Sequence, residues 1–180
     1  TNGIKLSATV PVSHCEECNL SFTDFRGEDL REKAVDKYLK DKAIQKPTEE
    51  VLTVDGASNG QNCEFQAVWY PSGKKAFSSK VFEGGTNNIA EFLGLVLAIK
   101  HLKDKNLPLV VYTDSVTAIS WVRNQKANTT ARTTGKLTNE LESLLEKAES
   151  FLVANKDLMK KVKIMKWETK EWGEIPADFG

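Results

Sequence analysis

The chain has 180 residues, of which 40% are hydrophobic and 28% are charged, a balance typical of a globular protein with one sizeable core and room for an appendage. Its 25 basic and 25 acidic residues cancel to a net charge of zero, so a surface for a polyanion must come from local clustering of charge. The sequence has no apolar run of about 20 residues, so we exclude a membrane span. It also has no secretory signal pattern and too few cysteines for a disulfide scaffold, so we expect a cytoplasmic protein.

The pattern of the sequence changes near Pro47, and we predict two parts. Residues 1–47 form an N-terminal arm, with a helix over residues 28–43, where apolar residues recur at roughly helical spacing among many charges. Cys15 and Cys18 in this arm have a C-x-x-C spacing. That spacing is compatible with half a zinc site or with a redox pair, but a closed zinc site needs further ligands, so we favour two reduced thiols. Residues 48–180 form a globular domain.

The globular domain shows a regular succession of strand and helix patterns. Alternating or short apolar runs predict strands, and runs with helical spacing predict helices. In chain order we predict strands over residues 49–56, 64–73 and 74–84, a largely buried helix over 87–105, a strand over 107–114, helices over 115–125 and 136–155, and a strand over 160–168. This order indicates an α/β fold in which an antiparallel meander is followed by strands that add in parallel to the same sheet.

Four acids stand out by their positions in this pattern. Asp55, Asp114 and Asp178 come at or shortly after the end of a predicted strand, and Glu91 lies on the first turn of the central helix. If the strands that precede Asp55 and Asp114 are parallel neighbours, both acids emerge at the same edge of the sheet, where α/β proteins place their chemistry. A cluster of four carboxylates is costly to bury without cations. Oxygen ligands of this kind suit Mg²⁺, and two such ions can activate a water and stabilise the leaving oxygen of a phosphodiester.

Each acid also has an ordinary interpretation. The Asp55-Gly56 pair is compatible with a hairpin turn, and Glu91 is compatible with a capping box that begins at Asn88. Asp114 is compatible with a helix cap, and Asp178 with a plain surface position. One arrangement explains all four acids together, and we therefore favour the cluster.

The sequence resembles the type 1 ribonuclease H family over roughly residues 50–178. The matching segments are VDGASNG at the end of the first strand, TNNIAEFLGLVLAI at the start of the helix, VVYTDS at the fourth strand and the terminal WGEIPADFG, which is similar to a bacterial subgroup. The resemblance implies a five-stranded mixed sheet flanked by helices. It also implies an endonuclease that cuts the RNA strand of RNA–DNA hybrids with two Mg²⁺ ions, or Mn²⁺, and leaves 5′-phosphate and 3′-hydroxyl ends. The ligands of the ions would be Asp55, Glu91, Asp114 and Asp178.

The resemblance further assigns contacts with the hybrid, whose wide and shallow minor groove exposes 2′-hydroxyls. The implied residues are Gly56, Ala57, Asn59, Thr86, Asn87 and Asn88. Helix capping is the alternative for the two asparagines that begin the helix. A second surface is indicated by residues 115–139, which contain several bases and no acid. From that stretch we select Ser115, Trp121, Arg123 and Lys126. The alternative for residues 115–139 is an ordinary solvated loop. Six lysines between residues 156 and 170 form another basic cluster, which we consider a weaker candidate for a nucleic-acid surface.

The sequence departs from the family in lacking a histidine on the loop before the last aspartate, where Lys170 or Glu171 is the candidate substitute. Because the metals supply most of the charge stabilisation, this change predicts an altered rate or metal preference and not inactivity. A hybrid-binding domain that has lost turnover is the alternative function. It has no reason to keep all four acids, so we favour the enzyme, and we expect a monomer. A third possibility, an integrase-like nuclease, usually needs three acids and lacks the TNN-x-x-E pattern.

Overall fold

The computed structural model describes residues 13–14, 21–22, 33, 45–135 and 137–179. The chain divides into two compact units, Thr1–Lys46 and Pro47–Gly180. In the first unit the short strands Ser13–His14 and Ser21–Phe22 pair antiparallel. Of the helix predicted over residues 28–43, Lys33 is described and is helical; the remainder and the C-x-x-C pair lie outside the described residues.

The second unit is a mixed sheet with helices, and its elements are numbered here in chain order. The strands are β1 Val51–Ser58, β2 Asn62–Tyr70, β3 Lys75–Ser78, β4 Phe82–Glu83, β5 Val110–Thr113 and β6 Lys163–Lys166. The helices are α1 Asn87–Asp104, α2 Val116–Arg123, α3 Ala131–Thr134, α4 Asn139–Ala154, α5 Lys156–Met159 and α6 Thr169–Trp172. None of the described helices is long and apolar enough to cross a membrane.

The main path of the sheet has five strands in the order β3-β2-β1-β5-β6. The pairs β1–β2 and β2–β3 are antiparallel, whereas β1–β5 and β5–β6 are parallel. The predicted mixed α/β sheet, with a meander followed by parallel strands, is therefore confirmed.

The third predicted strand is split, which adds the short strand β4 against β2. The break follows β3 at Ser79, whose hydroxyl oxygen accepts a hydrogen bond from the backbone nitrogen of Phe65 at 2.9 Å. That hydroxyl takes the place of a ladder carbonyl, so the regular pairing of the strand stops there.

Helix α1 packs on one face of the sheet and lies at the centre of the main core. Buried residues occur on every side of it, because α2 and α4 pack against it from the other side. Two glycines allow the close approach of helix and sheet. A Cβ atom on Gly56 in β1 would lie 2.3 Å from the backbone nitrogen of Glu91, and one on Gly94 in α1 would lie 3.0 Å from Cβ of Phe65. This contact fixes Glu91 beside β1.

The opposite face of the sheet carries a second, aromatic cluster. Its buried members are Tyr112, Trp167 and Ile175, and Tyr70 and Trp172 pack against them. Because side chains alternate along a strand, Tyr112 faces this cluster while its neighbour Val111 faces the main core. Trp167 is fully buried and meets three other aromatic rings edge-on or nearly so. The segment after β6 is thereby held against this face of the sheet.

Candidate active site

Asp55 lies within β1 and not at its end. The prediction that the strand stops at Asp55-Gly56 is wrong, because β1 stays paired with β2 as far as Ser58. The hairpin turn comes later, at Asn59, whose side-chain oxygen accepts hydrogen bonds from the backbone nitrogens of Gln61 and Asn62. Asp55 is therefore a buried carboxylate in the middle of a strand, 8% exposed, and the turn interpretation does not apply to it.

Glu91 and Asp114 are not used as helix caps. Helix α1 begins after Thr86, whose hydroxyl accepts from the backbone nitrogen of Ile89, and the capping box between Asn88 and Glu91 is not formed. Helix α2 is capped by Ser115 and not by the preceding Asp114. Both carboxylates are thus left for another role.

The structure brings three of the four acids together. One carboxylate oxygen from each of Asp55, Glu91 and Asp114 lies within 4.8 Å of the others. Ser115 donates a hydrogen bond to Glu91 at 2.6 Å, and the same hydroxyl accepts from the backbone nitrogen of Ala118. The start of α2 therefore orients the carboxylate of α1, while the parallel pairing of β1 with β5 sets Asp55 beside Asp114.

The electrostatics of this cluster oppose the charged form of each acid. Burial is the largest cause that raises the pKa of Asp55 to about 7; the charges of Asp114, Glu91 and Asp178 contribute to this rise, and a backbone hydrogen bond opposes it. Burial, together with the charge of Asp114, also raises the pKa of Glu91, although the Ser115 hydrogen bond opposes this. The pKa of Asp114 is raised by burial and by Asp178, and Lys166 opposes the shift.

A divalent cation fits these residues. Among the described residues, Oδ1 of Asp114 is the buried side-chain oxygen for which no hydrogen-bond partner is found. Burying an acceptor of that kind costs free energy unless a cation or a hydrogen-bond donor contacts it. Three converging carboxylates with raised pKa values, one of them with an unused oxygen, are the ligand set that a hard cation requires.

The fourth acid, Asp178, lies outside this group of three, on the segment that follows β6. The indole nitrogen of Trp167 donates to the carbonyl of Gly173 at 2.9 Å, and the backbone nitrogen of Asp178 donates to the carbonyl of Ile175 at 2.8 Å. These bonds fold the segment into a compact tail, which we define as residues 167–178. The side chain of Asp178 is exposed, yet its charge acts on both Asp55 and Asp114.

Gln66 anchors this tail and was not among the site residues predicted from the sequence. Its side-chain nitrogen donates to the carbonyl of Ala177 at 2.9 Å and to that of Asp178 at 3.3 Å. Gln66 is buried and pairs directly with Asp55 in the β1–β2 register, so both side chains leave the same face of the sheet. A polar residue in an otherwise apolar stretch of a central strand was the available signal.

Only some of the residues predicted to contact the hybrid are exposed in ways that leave them free for that role. Ala57, Asn59, Asn87 and Asn88 are partly or fully exposed, on the strand and helix that carry Asp55 and Glu91. Gly56 is buried against α1, and Thr86 and Ser115 serve as helix caps.

The residues predicted in the acid-free stretch are also dispersed. Trp121 is 8% exposed, with its ring edge-on to Phe92. Lys126 pairs with Glu149 of α4 at 3.2 Å, whereas Arg123 is exposed at the end of α2. The stretch is therefore not one continuous basic surface.

The raised pKa of Asp55 predicts a pH dependence of stability without metal. An unfolded aspartate titrates near 3.8, whereas Asp55 in the folded protein has a pKa of about 7. Between these values the folded protein retains a proton that the unfolded chain has released, so stability falls as the pH rises. We expect the melting temperature in EDTA to fall from about pH 4 to about pH 7 more steeply than that of Asp55→Asn. Parallel curves for the two proteins would contradict the burial of this charge.

Comparison with known proteins gives one family. A family model described as RNase H matches residues 47–177. Solved structures with a similar fold include LC11-RNase H1 isolated from compost, at 15% identity and a TM-score of 0.44 over 69% of this chain and 89% of that one. The N-terminal RNase H domain of a Mycobacterium tuberculosis protein matches at 19% and 0.39, over 65% and 83% of the two chains. RNase H1 from Halobacterium salinarum matches at 19% and 0.36, over 66% and 84%.

Proposed function

Because the chain belongs to the RNase H family, we propose that it is an active endonuclease that hydrolyses the RNA strand of RNA–DNA hybrids. The products would carry 5′-phosphate and 3′-hydroxyl ends. The observation that carries this proposal is the carboxylate cluster of Asp55, Glu91 and Asp114, with its raised pKa values and the unused oxygen of Asp114. Such a cluster destabilises a fold that has no cation to place in it.

We propose that these three acids and Asp178 hold two ions of Mg²⁺, or of Mn²⁺, when the hybrid is bound. The bound ions would activate the attacking water and neutralise charge on the scissile phosphate. The residues of the chain supply the positioning. Ser115 fixes the orientation of Glu91, and the anchored tail keeps Asp178 within electrostatic range of Asp55 and Asp114.

The exposed residues beside the cluster support hybrid contacts. Ala57 lies near the end of β1, Asn59 directly follows that strand, and Asn87 and Asn88 begin α1, so they would form a rim beside the acids. We propose that this rim follows the minor groove, with Gly56, Thr86 and Ser115 holding its shape. Trp121 would contribute only the edge of its ring, since 8% of the residue is exposed.

The loop that usually carries a histidine forms α6 in this chain, and Lys170 and Glu171 on it are exposed. We propose that one of them assists proton transfer. Further parts of the proposal rest on the sequence: membership of the bacterial subgroup, a monomeric state, a cytoplasmic location and an N-terminal arm or linker over residues 1–47.

The proposal is tested with a labelled RNA–DNA hybrid, with and without Mg²⁺ or Mn²⁺. We expect cutting of the RNA strand that requires metal, spares single-stranded RNA and duplex RNA, and is lost in Asp114→Asn. The 5′-phosphate of the products is identified by its removal with a phosphatase. The 3′-hydroxyl is identified by enzymatic extension of the products from their 3′ ends. Retained hybrid binding without cutting in either metal would contradict catalysis and would support the binding domain instead.

A further inference from the structure

A groove runs along the outer strand of the sheet, away from the carboxylates. It has a volume of about 650 Å³ and lies between the end of α2, helix α5 and strand β6. Its apolar floor includes Met159 and Ile164, which are partly exposed. Four bases line it, and no acid does: Arg123, Lys156, Lys160 and Lys163. We call this the cationic groove.

Three of the four bases of the cationic groove differ from the bases that pair with α4. Lys80, Lys126 and Arg132 pair with glutamates of α4 at 2.7 to 3.2 Å. Within residues 45–135 and 137–179, by contrast, no ion pair is found for Arg123, Lys156 or Lys163.

The fourth base of the groove, Lys160, pairs with Asp157, which is 91% exposed. An ion pair in that setting neutralises little, because water and salt screen it. In a chain of zero net charge, the groove is thus a local concentration of positive charge, in which one base of the four has an acidic partner among the described residues.

Strand β6 connects the cationic groove with the carboxylate cluster, because its last residue, Lys166, pairs with Thr113 beside Asp114. Strand β6 runs parallel to β5, which leads directly into Asp114. Lys166, at the end of β6, is near enough to Asp114 to lower its pKa. Lys163 lies three residues earlier on the same strand, a distance of about 10 Å along an extended chain. A nucleic acid held at the carboxylates would therefore need to extend by only a few nucleotides to reach the groove.

We propose that the cationic groove binds the sugar–phosphate backbone of nucleic acid that extends beyond the cleaved site. One arginine and three lysines, spread over α2, α5 with the residue after it, and β6, suit a row of phosphates better than one small anion, which would require a compact set of donors. The apolar floor suits sugar or base faces between those phosphates. The proposal rests on the proposed function only in taking its ligand to be nucleic acid, since it requires binding and not cutting.

The test compares two variants of equal net charge by fluorescence anisotropy, with a labelled RNA–DNA hybrid in metal-free buffer. The groove variant carries Arg123→Glu, Lys160→Glu and Lys163→Glu. The control carries Lys74→Glu, Lys75→Glu and Lys105→Glu at exposed positions after β2, in β3 and after α1. We expect the groove variant to bind the hybrid at least about tenfold more weakly than the parent does. The slope of its log affinity against log salt concentration should be smaller in magnitude by about three. The control should stay within about twofold.

Three results would overturn the proposal. One is equal loss of affinity in the two variants, which would indicate a general effect of charge. Another is parental affinity in a groove variant that melts at the parental temperature. The third is that poly-glutamate displaces the labelled hybrid as effectively as unlabelled hybrid does. That result would indicate that the ligand of the groove is an acidic protein segment. Failure of the parent to cut RNA would leave this binding result intact and would count against the proposed function alone.

Discussion

Replacement of Asp55 by asparagine is expected to lower cleavage of the hybrid at least about a thousandfold, equivalent to about 4 kcal/mol of transition-state stabilisation. Asparagine has the same shape but cannot supply a charged ligand, so the loss is that of metal binding. The same change is expected to raise the melting temperature of the protein in EDTA at neutral pH. It removes a buried charge that three neighbouring acids repel, and removing such a charge favours the folded state.

Two measurements check this result together. Initial rates of RNA cleavage give the loss of activity, and thermal melts with and without Mg²⁺ give the change in stability. The parent should gain stability when Mg²⁺ is added, whereas Asp55→Asn should gain much less. Asp157→Asn is a suitable control, because Asp157 is 91% exposed and lies on α5, outside the cluster. A variant that cuts normally, or that melts lower than the parent in EDTA, would contradict the assigned site.

Replacement of Gln66 by leucine is expected to weaken metal binding and turnover by roughly 10- to 100-fold, the usual effect of losing a group that positions a ligand. Leucine fills a similar volume but leaves the buried carbonyl of Ala177 without its donor, at a stability cost of about 1–3 kcal/mol. The tail then loses its anchor next to Asp55, and Asp178 moves relative to the cluster. Hybrid affinity in metal-free buffer should change little, since Gln66 is buried.

The measurements for Gln66→Leu are a calorimetric titration with Mn²⁺ and the dependence of the cleavage rate on metal concentration. Gln61→Leu is the matched control, because Gln61 is exposed in the β1–β2 turn. Gln66→Asn, which is shorter by one methylene but keeps the donor, should fall between parent and leucine variant. If Gln66→Leu loses stability but requires the same metal concentration as the parent, Gln66 supports the fold and does not position Asp178.

The parts of this structure that local sequence patterns encode were predicted well. Alternation and helical spacing predicted the strands of the meander and the central helix, and the order of the elements predicted which strands are parallel. The sequence placed Asp55 and Asp114 at one edge of the sheet on the condition that their strands are parallel neighbours, and β1 and β5 meet that condition. The position of Asp55 within β1 was mistaken because Asp-Gly is a frequent turn sequence, whereas pairing with β2 continues the strand here.

Contacts between distant parts of the chain were not predictable in this way. Residues 115–139 contain no acid, which suggested an open basic surface. In the fold, Glu142 and Glu149 of α4 pair with Arg132, and Glu149 also pairs with Lys126. Gln66 had the appearance of an outward-facing residue on a half-exposed strand, because its sequence neighbours do not show that the tail covers that face 111 residues later.

The outer strand β6 pairs on one side with β5, and it is the last strand on the path of the sheet. Within residues 45–135 and 137–179 the other side of β6 has no paired strand, and an edge of this kind is a template on which another chain can add a strand, with aggregation as the result. β6 begins with Lys163 and ends with Lys166. Lysines at an open edge oppose such addition, because two copies would bring like charges together. The basic residues at this edge therefore also help to keep separate copies of the protein from joining sheet to sheet.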